Sequence, residues 1–326
     1  MAQSKPLTDA DIWALIKKMS VEEKAGQMNQ LDLGVIAKGD ICKLTWPQSI
    51  DTLKLKLAIQ KYHIGSILNV GCGSGTMSMA QWQSILSDVQ FYNQKYSKNG
   101  VPIVYGIDAI HGVNYTQKGT LFPQQIAQAA TWNPALIQSV YEATAYEMRA
   151  TGLPWNFSPV LDIGRQPLWS RFFETFGEDV CLAQKMTASA VIGLQGNQNA
   201  TDQYHVAACM KHFLGYSFSL SGHDRTPAWI SERELRTYFL PTFKKAIDLG
   251  AKTLMVNSGE INGVPVHVNA ELLTQLLRHE LGFTGVVVTD WEDIYKLHTT
   301  HKVAASLREA VKLAINAGID MSMTPN

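Results

Sequence analysis

The chain has 326 residues, 46% hydrophobic and 17% charged, with 28 Lys and Arg against 28 Asp and Glu. An apolar share of that size can fill a large core and excludes a disordered chain. Zero formal net charge without a long Lys/Arg run excludes the electrostatic footprint of a nucleic-acid binder, and no apolar stretch reaches the roughly 18–20 uncharged residues of a membrane span.

In chain order, Met1 to Pro6 lacks the apolar centre of a signal peptide. Apolar runs rich in Val and Ile predict strands near 26–33, 64–70, 101–107, 153–162, 206–213, 251–257, 285–290 and 317–322. Helical spacing predicts helices near 50–62, 79–96, 133–150, 178–195, 231–249, 269–281 and 302–316, with Asn133, Ser231 and Asn269 as capping residues and Gly250 as a stop. Cys42, Cys72, Cys181 and Cys209 show no C-x-x-C spacing, so free thiols are expected. Asn114, Asn156 and Asn199 open Asn-x-Ser/Thr triplets, which short sequences produce by chance.

Alternating strands and helices predict an α/β protein with a parallel sheet, and eight such units are the arithmetic of a (β/α)8 TIM-type barrel filling the whole of 1–326 as one domain. A doubly wound open sheet is the alternative. Asp108, Asp162, Lys211-His212, Asn257-Ser258-Gly259-Glu260 and Asp290 all end predicted strands, and in a barrel those ends converge on one mouth. The last strand has no helix after it, so closure calls for the stretch 8–19 or another segment to cover the gap.

Several of these residues can carry chemistry. Gly285 to Trp291 runs an apolar strand into a carboxylate and an indole, so Asp290 is either a nucleophile at the mouth or a helix cap. Trp291 stacks on a sugar ring or packs. Lys211 and His212 are neighbours, and neighbours on a regular strand point to opposite faces, so both serve one site only where the strand is distorted. Asp108 lies between Gly106 and Gly112, which permit tight turns. The stretch from Arg165 to Asp179 is dense in aromatics and charge, suited to hydroxyl and carboxylate oxygens. Gly71 to Gly75 looks like the glycine-rich motif of S-adenosylmethionine-dependent methyltransferases, yet Asn69 stands where an acidic residue is usual there and no acidic residue ends a strand about 20 positions on. No H-E-x-x-H, EF-hand or Walker A pattern occurs, so neither metal nor cofactor is indicated.

Five segments in register, Gly106 to Gly112, Arg165 to Asp179, Lys211 to Phe213, Gly285 to Trp291 and Ala317 to Met323, resemble glycoside hydrolase family 3, β-glucosidase branch. The resemblance implies a retaining mechanism on β-glucoside or oligosaccharide substrates, with Asp290 as the nucleophile. Asp108, Arg171, Lys211 and His212 would then hold the donor sugar and Trp291 flank the next subsite; Met255 and Glu260 would line the mouth. It also implies a periplasmic or secreted enzyme. The family's general acid typically comes from an α/β sandwich domain after the barrel. That domain is expected to be absent from this chain, so a C-terminal domain or a second chain would have to supply the acid. A single-domain β-N-acetylglucosaminidase branch instead uses an Asp–His pair after Lys-His-Phe; here His223 directly precedes Asp224, in reversed order, which favours loop or binding roles.

Overall fold

In the computed structural model, which describes residues 7–40, 43–44, 48–71, 75–196 and 202–325, eight short parallel strands carry the chain round a barrel. They are β1 (Asn29–Asp32), β2 (Ser66–Leu68), β3 (Val104–Ile107), β4 (Trp155–Asn156), β5 (Ala207–Phe213), β6 (Thr253–Val256), β7 (Val286–Val288) and β8 (Ser322–Met323). Their order, β7-β6-β5-β4-β3-β2-β1-β8, is sequential except where β8 pairs β1. The seam closes through Asp320. Its Oδ2 accepts from the Val287 N–H at 2.8 Å and from Arg278 at 2.5 Å, and Val288 bridges Met321. This is the barrel, not the open sheet.

The ladders are shorter than the apolar runs suggest. At 153–162, Pro154 and Pro159 remove donors on either side of Trp155–Asn156, and the chain continues as an irregular extended segment bonded to β5 through Ser158, Pro159 and Leu161. Residues 26–27 belong to a helix, Val21–Gln27, whose capping box is Ser20 with Glu23. Residue 317 closes another helix: Ala310, Ala314 and Ala317 share its buried face, and Gly318 caps it with φ +119°.

Helices α1 (Thr52–Gln60), α2 (Met79–Tyr96), α3 (Pro134–Thr151), α4 (Val180–Gln195), α5 (Leu240–Asp248), α6 (Glu271–Glu280) and α7 (Leu307–Ala317) cover the outside. Asn133 caps α3, Asn269 caps α6, and Ser231 caps the turns leading into α5. The stretch 8–19 is helical over Asp9–Lys18, but it buries no side chain and leaves Trp13 exposed, so it does not seal the interval between β8 and β1. There an apolar groove of about 680 Å³ runs beside α1, lined by Leu31, Leu57, Tyr62 and Pro325.

Inside the barrel, Leu68, Trp155, Phe157, Cys209, Met255, Val288 and Met323 form one cluster, with the Trp155 indole donating to Thr253 Oγ1 at 2.7 Å. Gly106 makes room for it: a Cβ there would lie 2.3 Å from Phe157 Cζ. The sequence suggests a turn glycine; packing is the reason instead, whereas Gly112, at φ +107° and against the Thr120 carbonyl, is the turn. Cys181 and Cys209 are free, and Cys42 and Cys72 lie outside the described residues. Asn156 is buried with its amide bonded to Ala109 at both ends, so its triplet cannot take a glycan; Asn199 lies outside the described residues. No helix among the described residues is long and apolar enough to cross a membrane.

Candidate active site

The carboxyl ends of β2 to β7 supply the polar groups of the mouth. Asp108 follows β3 and meets Lys211 Nζ at 2.7 Å. Lys211 is buried, so this attraction acts across a partly desolvated gap and is less screened than at a surface. Asn69, after β2, grips Asp108 from the other side. Its amide donates to Asp108 Oδ2 at 3.1 Å, and its Oδ1 accepts the Asp108 N–H at 3.3 Å. Asn69 sits at φ +50°, a conformation asparagine tolerates better than most residues. The residue that departs from the methyltransferase pattern thus has a use in the barrel mouth; residues 72–74 of that loop lie outside the described residues.

Lys211 and His212 both reach the mouth because β5 is irregular there. Its pairing with β6 shifts register between Met210 and Phe213, which re-aims adjacent side chains. His212 is buried and its Nδ1 lies 2.8 Å from Asp162 Oδ2, the same oxygen that accepts the His212 backbone N–H at 3.0 Å. Burial pushes the Asp162 carboxyl up to about 8 and the His212 imidazole well below its usual range. The pair therefore holds one proton between them at neutral pH.

Asp290, just past β7, is the meeting point. Its Oδ2 accepts from Ser258 Oγ at 3.0 Å and faces His212 Nε2 at 3.9 Å. Its Oδ1 accepts from the Trp291 N–H at 2.5 Å and faces Arg225 Nη2 at 3.3 Å. Burial alone would raise this carboxyl; Arg225, then Arg171 and the Trp291 N–H, more than offset it and hold the group well below the usual carboxylate range. Asp290 does not cap a helix: the helix Asp293–Thr299 has Glu292 at its N-cap position and no side-chain cap.

Arg171 reaches the cluster from the loop after β4, held bidentately by Glu174 at 2.9 and 2.7 Å, with its guanidinium over the Trp169 and Tyr216 rings. Tyr216 packs edge-on against His212 at 5.0 Å. Met255 lies buried in the barrel interior, with partly buried Trp291 packed over the same cluster. Glu260 faces His301 Nδ1 at 2.6 Å. Asp224 pairs with Arg225 at 3.8 Å rather than with His223. Among the described residues no His, Cys, Asp and Glu group is arranged to hold a metal.

The arrangement is a wall of hydrogen-bond donors and acceptors around one ionised, buried carboxylate. Asp108, Arg171, Lys211, His212 and Asp290 come from four separate segments and converge here. Sequence reasoning gave no part to Arg225, Tyr216 or Asn69. For Arg225 the only signal was its place between Gly222 and Pro227 in the loop after β5.

That chemistry is of the glycosidase class. A family model described as the glycosyl hydrolase family 3 N-terminal domain matches residues 20–326. The chain belongs to glycosyl hydrolase family 3. It is 46% identical over 324 residues to a lysosomal beta glucosidase of Dictyostelium discoideum, covering 95% of this chain and 38% of that protein. It is 30% identical to a periplasmic beta-glucosidase of Salmonella typhimurium, over 98% of this chain and 38% of the relative. Among solved structures, the beta-glucosidase of Listeria innocua in complex with glucose aligns with a TM-score of 0.84 at 28% identity, over 97% of this chain and 42% of that one. A β-glucosidase of Erythrobacter marinus aligns at 0.85 and 30% identity, over 97% and 40%. The chain thus spans about two fifths of the relatives it matches. These findings support neither a methyltransferase nor a β-N-acetylglucosaminidase.

Proposed function

We propose that this chain is the nucleophile-bearing barrel of a retaining β-glucosidase. Asp290 attacks the anomeric carbon and forms a covalent glycosyl-enzyme, which water then releases. Asp108, Arg171, Lys211 and His212 bind the hydroxyls of the donor glucose, Trp291 flanks the acceptor side, and Met255 forms part of the floor. The observation that carries this reading is the state of Asp290: a buried carboxylate kept ionised by Arg225 and Arg171, with donors on both oxygens. A nucleophile must be deprotonated and oriented before substrate arrives.

Retention also needs a carboxylic acid roughly 5–5.5 Å from the nucleophile to protonate the leaving oxygen. We assign that acid to a part of the relatives beyond the two fifths matched here, a C-terminal α/β sandwich domain or a separate chain docking on the mouth. Exposed Leu168, Phe173 and Leu220 on the loops after β4 and β5 support such docking.

The test is the intact mass after incubation with a 2-deoxy-2-fluoro-β-glucoside carrying a dinitrophenolate leaving group, which needs no protonation. One fluoroglucosyl unit is expected to add to the wild type and not to Asp290→Ala. An adduct that persists in Asp290→Ala overturns the assignment of the nucleophile. Rapid cellobiose hydrolysis by the pure chain overturns the external source of the acid.

A further inference from the structure

Arg225 lies at the centre of a charge arrangement that the donor-site reading leaves unused. It belongs to the loop after β5, at φ +58°, a backbone conformation non-glycine residues adopt sparingly. Its guanidinium bridges two carboxylates of the segment after β7: Nη1 meets Asp293 at 2.8 Å, and Nη2 meets Asp290 Oδ1 at 3.3 Å. Asp293 is buried and is also neutralised by Lys296 at 2.9 Å, with His267 3.5 Å away. The other cations near Asp290 have close partners of their own: Arg171 is clamped by Glu174 and Lys211 by Asp108. His212 carries no proton beyond the one it shares with Asp162. Arg225 is shared among Asp293, Asp290 and Asp224, and because Lys296 also pairs with Asp293, Arg225 serves as the nearest counter-charge of Asp290.

We infer that Arg225 is a positioning residue for Asp290: fastened to Asp293, it fixes the Oδ1 oxygen and supplies its counter-charge, so the β5 loop sets the readiness of the nucleophile. This deepens the reading of Asp290 as nucleophile and rests on it. A merely structural Arg225 would pair with Asp293 and leave Asp290 indifferent to its loss.

The groups facing Asp290 are Arg225 from the β5 loop, His212 from β5, Arg171 from the β4 loop, Tyr216 beyond β5, Ser258 after β6 and the Trp291 N–H. Asp224 and His267 stand behind them. Of these, Arg225 is the first cation acting on Asp290, so its removal is read most directly in the pH profile. The rate of fluoroglucosyl adduct formation is followed between pH 4 and 8 for wild type, Arg225→Lys and Arg225→Gln, all shown folded by circular dichroism. Because the leaving group needs no acid, the acid limb reports the nucleophile. Over this window the wild-type rate is expected to show no acid limb, whereas a limb is expected to enter it from the acid side in Arg225→Gln and to reach less far in Arg225→Lys. Profiles of both variants that match the wild type overturn the inference.

Should the wild type form no adduct, the nucleophile reading fails, and the inference is read from the carbon-13 carboxyl signal of Asp290, assigned by its absence in Asp290→Asn. That signal is expected to stay ionised from pH 4 to 8 in the wild type and to titrate within the window in Arg225→Gln. Identical titrations in the two proteins overturn it.

Discussion

Asp162 holds His212 with a single oxygen, accepting the backbone N–H at 3.0 Å and facing Nδ1 at 2.8 Å. The second oxygen, Oδ1, is buried without a hydrogen-bond partner. All of the carboxylate's directional bonding is therefore to the residue it positions, and the ring is turned so that Nε2 looks toward Asp290.

That geometry predicts a pH signature in stability. Unfolded, Asp162 ionises near its ordinary value and His212 near 6.5, while folded, burial keeps one proton on the pair up to about 8. Between roughly pH 4 and 6.5 both states carry one proton, so the pair adds no slope. From 6.5 to about 8 the folded state binds more protons, and stability falls as pH rises, by about 2 kcal/mol. In Asp162→Asn the shared proton is gone and His212, with its folded value depressed, alone contributes, so stability should rise with pH up to 6.5 and flatten above. Urea midpoints across pH 5–8.5 check this, and the same downward slope in both proteins would refute the shared proton.

Asn69 should matter to the site more than to the fold. Asn69→Ala removes two hydrogen bonds to Asp108 while Lys211 remains, so a stability loss of about 1 kcal/mol is expected. Glucoside capture should slow by about tenfold as Asp108 loses its orientation. Adduct rates and thermal melts on the same samples decide; a large melt shift with an unchanged rate contradicts the assignment.

Gly106 has no room for a methyl group. Gly106→Ala is expected to cost about 1–3 kcal/mol by pushing the Phe157 ring off its rotamer. Combining it with Phe157→Leu, which withdraws the ring, should recover part of that loss. Strictly additive losses in urea titrations of both single variants and the double would show that the two positions do not collide.

Asp320 should be a hinge pin of the barrel seam. Asp320→Ala removes the acceptor of the Val287 N–H and leaves Arg278 without its carboxylate, at a cost of about 2 kcal/mol. Asp320→Asn keeps one acceptor and should lose less. Hydrogen exchange at Val287 is the local readout: protection equal to the wild type in Asp320→Ala would remove Asp320 from closure.

The sequence by itself determined the strand–helix alternation, the barrel and the list of polar residues at strand ends, because apolar periodicity and cap residues such as Asn133 and Asn269 are local properties. It also placed Asp290, Lys211 and Asp108 at the mouth, since the carboxyl end of a barrel strand is fixed by where its apolar run stops. Ladder lengths were not legible: Pro159 and the Ala310, Ala314 and Ala317 face override apolar content. Nor was the use of Gly106, which answers to Phe157 across two strands.

Only the tertiary structure decided which charges face which. Arg225 lies 65 positions before Asp290 in the chain and meets it at 3.3 Å, and Asp162 reaches His212 across 50 positions. Pairings of that kind depend on loop paths over the mouth and on a register shift in β5. Neither leaves a periodic trace in sequence, yet the protonation states of Asp162, His212 and Asp290 follow from them, because burial and the nearest counter-charge set a pKa.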